Sequence, residues 1–384
     1  MRRLAFVVLT VLMLSPALTS DVRAQAKPWW GDLVKPGPFQ VGFTSKILYD
    51  ESRLREGSKP RWVQFGYWYP SSRYGVKPLS YGDYIRIAAA ETTGVDATIR
   101  GTRDIKAFRD LLVSRSVPEK VADAFIDGPL YARRNAPSDF GPFSLIVLAQ
   151  GNGQSAGDQA VLGEYLASYG YWVLTSPSQS RITGEPSSDD RVGDAAIDQL
   201  ADMWLIQREV MMSLMLRKGE GMAVIGHSFG GRSALFFGMS DPLSVKAIVS
   251  LDGGIGTATA RESFESARAF VTGTHLPPLL HIYEDLDEPM KPDWSTLKRL
   301  TAAREIWIAR AGDLHHHHFT TLGAASGKFP EIGKATGATE KTGPQYAATL
   351  ELTLAFIEAT LHKDSTMLKK IQSRPDALKL ERLP

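Results

Sequence analysis

The sequence predicts an α/β protein built on a mostly parallel, doubly wound sheet, and three observations carry that expectation. Short apolar runs of strand length, at 143–149, 171–175, 222–225, 245–251 and 279–283, alternate with segments of helical periodicity. Several of these runs are nearly continuous in apolarity, as strands covered on both faces are. Polar or glycine-containing stretches follow them, at the strand ends where an open parallel sheet gathers its ligands.

The chain has 384 residues, 43% of them hydrophobic and 22% charged, enough for one large domain with insertions. Lysine and arginine total 44 against 42 acidic residues, a net charge of +2, so no basic field argues for nucleic acid or an anionic membrane as partner. A small neutral molecule is the expected partner. The first residues, Met1-Arg2-Arg3, an apolar run from Leu4 to Leu14, then small and polar residues to Ala26, have the three-part form of a secretory signal. That run is too short to span a bilayer. The sequence therefore divides into a leader at 1–26 and a domain at 27–384 whose expected location is secreted or periplasmic. With no cysteine, neither a disulfide nor a lipid attachment site adds to that reading.

Residues 27–42, rich in Pro, Gly and Trp, read as an extended arm on the body. Two runs of β-branched and aromatic residues, 41–49 and 61–69, read as antiparallel strands opening the sheet, their aromatic side chains as packing. From about 79 to 135 the alternation stops. Helical spacing at Ile105, Phe108, Leu111 and Leu112, then Val121, Ala124 and Phe125, marks a cap-like helical insertion that shapes access to one end of the sheet.

The buried run at 143–149 leads into Gln150-Gly151-Asn152-Gly153-Gln154-Ser155. Such a loop brings backbone N–H groups close to a ligand, and the N–H of Asn152 is the expected oxyanion donor; no Gly-Lys-Ser/Thr follows to make it a phosphate cradle. A helix at 160–166 and the strand at 171–175 come next, then a polar loop at 176–190 on the same side as the glycine loop. The helix after it is expected to turn Ile197, Leu200, Ala201 and Trp204 inward and Asp198 and Asp202 outward. Met211, Met212 and Met215 at its end are expected as core filler.

Gly226-His227-Ser228-Phe229-Gly230 then follows a strand and precedes a helix, the context of a nucleophile elbow. The serine sits at a strained bend, and the residues two before and two after it must be small for strand and helix to approach. Its hydroxyl stands beside the N–H of Phe229, a second oxyanion donor. Downstream strands end at Asp252, at Glu284-Asp285, and, after 305–309, near four histidines from His315 to His318. The tail closes with an apolar-faced helix around Leu350, Leu354, Ile357 and Leu361. A serine hydroxyl needs a base of pKa near 7, and the base needs a carboxylate to orient it, so these rim groups supply a nucleophile, a choice of acids and a choice of bases.

The elbow, the Gly151-Asn152-Gly153 loop and the late histidine resemble the α/β-hydrolase superfamily. Gly226 to Gly231, Leu251-Asp252 and His316-x-x-Phe319 are similar to its platelet-activating-factor acetylhydrolase and dienelactone-hydrolase-like branch, over residues 143–319. The resemblance implies an α/β-hydrolase fold with a helical cap insertion, and a carboxylic ester hydrolase working through Ser228, Asp252 and His316. It places the oxyanion donors at Phe229 and Asn152. His315 is the rival base, and Asp285 sits where most of the superfamily carries its acid. The branch begins its oxyanion loop His-Gly; here it is Gln150-Gly151. This chemistry needs no metal or organic cofactor, and consecutive loop histidines are poor ligands for a single ion. Peptidase or amidase chemistry on the same fold, a metal site at His315–His318 and a non-catalytic binding module are the other readings. The substrate pocket is expected from the insertion and from 253–275.

Overall fold

The computed structural model describes residues 27–383 except 56–58, 73–76, 91–97, 140, 179, 182–186, 214–220, 274 and 301–304. The leader at 1–26 and Met215 lie outside the described residues, as do parts of the loop at 176–190.

The chain first forms a long antiparallel pair, β1 (Gln40–Arg55) and β2 (Lys59–Ser71), with Phe43 opposite Trp68. Two short strands, β3 (Pro78–Ser80) and β4 (Pro129–Arg134), bracket three helices: α1 (Tyr81–Ala88), α2 (Thr98–Ser114) and α3 (Glu119–Asp127). β4 pairs with β1 in parallel. The insertion is thus not purely helical. It is stitched to the sheet edge by two strands too short to show a period of their own between helical segments.

Next come β5 (Ser144–Ala149), α4 (Ala160–Ser168), β6 (Tyr171–Ser176), α5 (Val192–Ser213), β7 (Met222–His227), α6 (Gly230–Ser240) and β8 (Val245–Leu251). β9 (Leu279–Tyr283), β10 (Ile306–Arg310) and β11 (Leu380–Arg382) complete the sheet, in the order β11-β10-β9-β8-β7-β5-β6-β2-β1-β4-β3. In sheet order, the strands from β6 to β10 run parallel to one another. Ile146, Val147 and Leu148 of β5 and Val224 and Ile225 of β7 are wholly buried, so both faces of this central block are covered. β11 adds an antiparallel edge after the long helix Thr342–Leu361 and a short one, Thr366–Gln372. Nothing in its Leu380-Glu381-Arg382 sequence marks a strand.

Three local expectations need correction. The segment before β1 is not a simple arm: Trp29 and Trp30 enter a short helical turn and are buried. Trp30 Nε1 donates to Glu164 Oε2 at 2.8 Å, and the same carboxylate accepts from Tyr131 N–H, Ala132 N–H and the Tyr84 hydroxyl. Burial raises the pKa of Glu164 to about 7, against the pull of those donors. One buried carboxylate on α4 therefore ties the N-terminal segment, α1 and β4 to the body. Second, Asp202 faces inward and is fully buried, because Arg53 and Arg61 reach it from the β1–β2 pair at 2.6 and 2.9 Å. Two guanidiniums make that burial tolerable. Third, Met212 is 74% exposed, while Met211 packs against the core.

Candidate active site

The sharp turn after β7 sets the geometry of the site. Ser228 has φ +54°, a left-handed conformation that costs a non-glycine residue energy and persists where the surroundings enforce it. A Cβ on Gly226 would lie 2.1 Å from Gly230 O, and one on Gly230 would lie 2.2 Å from Ala149 O. The two glycines let β7, α6 and β5 close around the bend. Ser228 is left half-buried at its apex.

His316 comes from a helical turn, His316–Phe319, after β10. Its Nε2 lies 2.8 Å from Ser228 Oγ, and its Nδ1–H donates to Asp252 Oδ2 at 2.5 Å. Asp252 leaves β8 with φ +45° and is 1% exposed. Its other oxygen accepts the N–H of Glu284 at 3.1 Å. Burial pushes the Asp252 carboxyl above the ordinary range, and the bond from His316 pulls it back. Serine, imidazole and carboxylate thus form one hydrogen-bonded chain across the ends of β7, β8 and β10.

The rival residues lie outside that chain. Asp285 makes a two-pronged ion pair with Arg310 at 2.7 and 2.9 Å, away from the imidazole. His315 turns its Nδ1 to Asp287 Oδ1 at 2.9 Å. His318 is buried, taking the N–H of His315 at Nδ1 and facing Thr336 Oγ1 with Nε2, while His317 Nε2 meets Thr336 O. Among the described residues no three metal-ligating side chains are arranged to hold an ion.

Asp287, His227 and Gln154, which the sequence did not single out, pack around His316 and Ser228, and Glu284 shapes the loop that carries Asp287. Asp287 holds His316 from behind: its Oδ2 accepts the N–H of His316 at 3.0 Å while Oδ1 takes His315. The Glu284 carboxylate caps the N–H groups of Leu286 and Asp287 and so shapes that loop. Burial would raise the Asp287 carboxyl, but the bonds from His316 and His315 outweigh it and hold it below its usual value. His227, buried inside the elbow, stacks on His316 with centroids 5.0 Å apart and sets Nδ1 2.9 Å from Gln154 Oε1. Gln154 Oε1 also accepts the N–H of Gly151 at 2.8 Å. Burial keeps the His227 imidazole well below its ordinary pKa, hence neutral. Its position inside G-x-S-x-G was the available signal, since a buried imidazole needs polar partners.

The glycine loop lies against Ser228, for a Cβ on Gly151 would come 2.9 Å from Ser228 Cβ. Gly153 N–H is taken by Ser180 Oγ at 2.7 Å, and Ser178 N–H by Gln154 O. Among the described residues the N–H groups of Asn152 and Phe229 carry no hydrogen bond within the protein.

This topology, with a serine elbow after a central strand, is the α/β-hydrolase fold, here with a cap-like insertion. Among solved structures, that of a ferulic acid esterase from Streptomyces cinnamoneus is similar over 92% of this chain and 99% of that one, with a TM-score of 0.60 and 19% sequence identity. No protein-family model matches the chain. A comparison with curated protein sequences finds no match either. No described helix is long and apolar enough to cross a membrane.

Proposed function

We propose that the protein is a serine hydrolase that cleaves carboxylic esters through an acyl-enzyme. The observation that carries this reading is the unbroken chain from Ser228 Oγ through His316 to Asp252, at 2.8 and 2.5 Å. Within it, His316 Nε2 takes the Ser228 proton as Oγ attacks the ester carbonyl, and Asp252 stabilises the imidazolium that forms. The N–H groups of Phe229 and Asn152 receive the developing oxyanion. Collapse expels the alcohol with the proton returned by His316, and a water then repeats the sequence to free the acid. All atoms and charges balance without a cofactor.

An esterase on the same fold supports the choice of ester over amide. The narrower likeness to platelet-activating-factor acetylhydrolases rests on Gly226 to Gly231 and on an acid directly after β8. A panel of p-nitrophenyl esters and p-nitroanilides tests the reading. Ester turnover is expected in the parent, with loss of at least about 10³-fold in Ser228→Ala. Anilide turnover exceeding ester turnover would turn the assignment to an amidase, and unchanged ester turnover in Ser228→Ala would refute it.

A further inference from the structure

The two oxyanion donors of the proposed mechanism are held in different ways. Phe229 follows Ser228 in the elbow, so its N–H is fixed by the same bend that presents the hydroxyl. Asn152 stands on a separate loop after β5, far from Ser228 in the chain. A donor stabilises a developing charge only when it is held to within about half an ångström of the productive position, so that loop must be indexed to the elbow.

The contacts of Gln154 supply the link. Gly151 N–H donates to Gln154 Oε1 at 2.8 Å and Gln154 N–H donates to Gly151 O at 3.1 Å, so these two residues close a turn with Asn152 and Gly153 at its centre. Gly153 has φ +72°, a left-handed conformation that glycine adopts at little cost. The same Oε1 lies 2.9 Å from His227 Nδ1. The Gly151 N–H identifies this end of the carboxamide as its oxygen, which only accepts, so His227 carries its proton on Nδ1 and donates. Burial keeps the ring neutral, which leaves Nε2 without a proton against His316 O at 3.3 Å.

His227 directly precedes Ser228, is 1% exposed and lies with its ring against that of His316, the centroids 5.0 Å apart. One buried side chain therefore adjoins Ser228, touches His316 and bonds to the carboxamide that shapes the turn of Asn152. We propose that His227, acting through Gln154, positions the Asn152 N–H beside Ser228. The inference rests on the ester-hydrolase reading and adds how that site holds its second oxyanion donor. His227 is a positioning residue, for it works through Gln154 and the turn.

The test measures kcat and KM for p-nitrophenyl acetate and Ki for trifluoroacetone, a ketone that adds to an activated serine and leaves an oxyanion where the tetrahedral intermediate carries one. His227→Phe keeps a ring against His316 and removes the donor. Gln154→Met keeps the length of the side chain and removes the acceptor. Each is expected to lower kcat by about tenfold or more with KM within about threefold, and to weaken Ki in proportion to kcat/KM, because the lost interaction is made with the oxyanion. The double variant is expected to stay within about twofold of the poorer single one, as for two members of one contact. His227→Asn, whose amide nitrogen is bonded to Cγ as Nδ1 is, is expected to recover most of what His227→Phe loses.

A purely structural role would reduce the fraction of active protein, lowering kcat with Ki unchanged, and that result overturns the proposal. Parent-like kcat in Gln154→Met, additive losses in the double variant, or His227→Asn no better than His227→Phe overturns it too. Should thermal melts show that His227→Phe does not fold, Gln154→Met, at a half-buried position, decides alone. Any of these results in a parent that turns over the ester removes this inference and leaves the ester-hydrolase reading standing. A folded parent with neither ester turnover nor a fluorophosphonate adduct removes both.

Discussion

The loops after β8 and after β9 each carry carboxylates to the same rim, yet they do different work. After β8, Asp252 is buried and aimed at a ring nitrogen of His316. After β9, Asp285 is spent on Arg310 at the surface, and Asp287 grips the backbone N–H of His316. In the proposed mechanism, one loop addresses the charge that forms on the imidazole; the other addresses where the imidazole stands. A carboxylate's role here follows from what it faces and how dry it is, not from which strand it follows.

Substitution separates the two loops. In the proposed mechanism Asp252→Asn has the largest effect, a loss of about 10³–10⁴-fold in kcat/KM with folding intact, read on a p-nitrophenyl ester. Asp287→Asn is expected to cost about tenfold, because the imidazole keeps its partner on Nδ1 but its backbone is held less firmly. An Asp287→Asn loss as deep as that of Asp252→Asn would reverse the two roles.

Stability separates the same pair with opposite signs. The Asp287 pKa is depressed on folding, so its stabilisation is present above the unfolded value of 3.8 and fades as pH falls through the lower folded value. Asp287→Asn should therefore melt below the parent at neutral pH, with the gap closing below about pH 4. The Asp252 pKa is raised, so its contribution is full below 3.8 and is lost as pH rises through the folded value. Asp252→Asn should match or exceed the parent Tm at pH 7. Thermal melts at pH 3 to 8 check both, and a shared loss of Tm at pH 7 would contradict the distinction. Smallest of all is Asp285→Asn, which removes an exposed ion pair worth about 0–1 kcal/mol and should leave turnover within about twofold.

The sequence disclosed what is locally determined. An elbow is a property of five consecutive residues, and Gly226 and Gly230 are required wherever strand and helix meet so closely. The central strands announced themselves because burial on both faces leaves a continuous apolar run. Which imidazole meets which carboxylate depends on how residues far apart in the chain are brought together, as His316 and Asp252 are, and periodicity carries no record of it. Asp287, Gln154 and His227 act through contacts made only in three dimensions. Asp202 misled for the same reason: its helical position faces outward only until Arg53 and Arg61 arrive from the first two strands. β3, β4 and β11 are held by their neighbours in the sheet and carry no signal of their own.

The most direct measurement is peptide mapping after reaction with a fluorophosphonate, which phosphonylates a serine only when a neighbouring base activates it. The account predicts a single adduct on the peptide carrying Ser228, lost in Ser228→Ala and strongly slowed in His316→Ala. Folded protein that stays unlabelled, or an adduct on another residue, would contradict it.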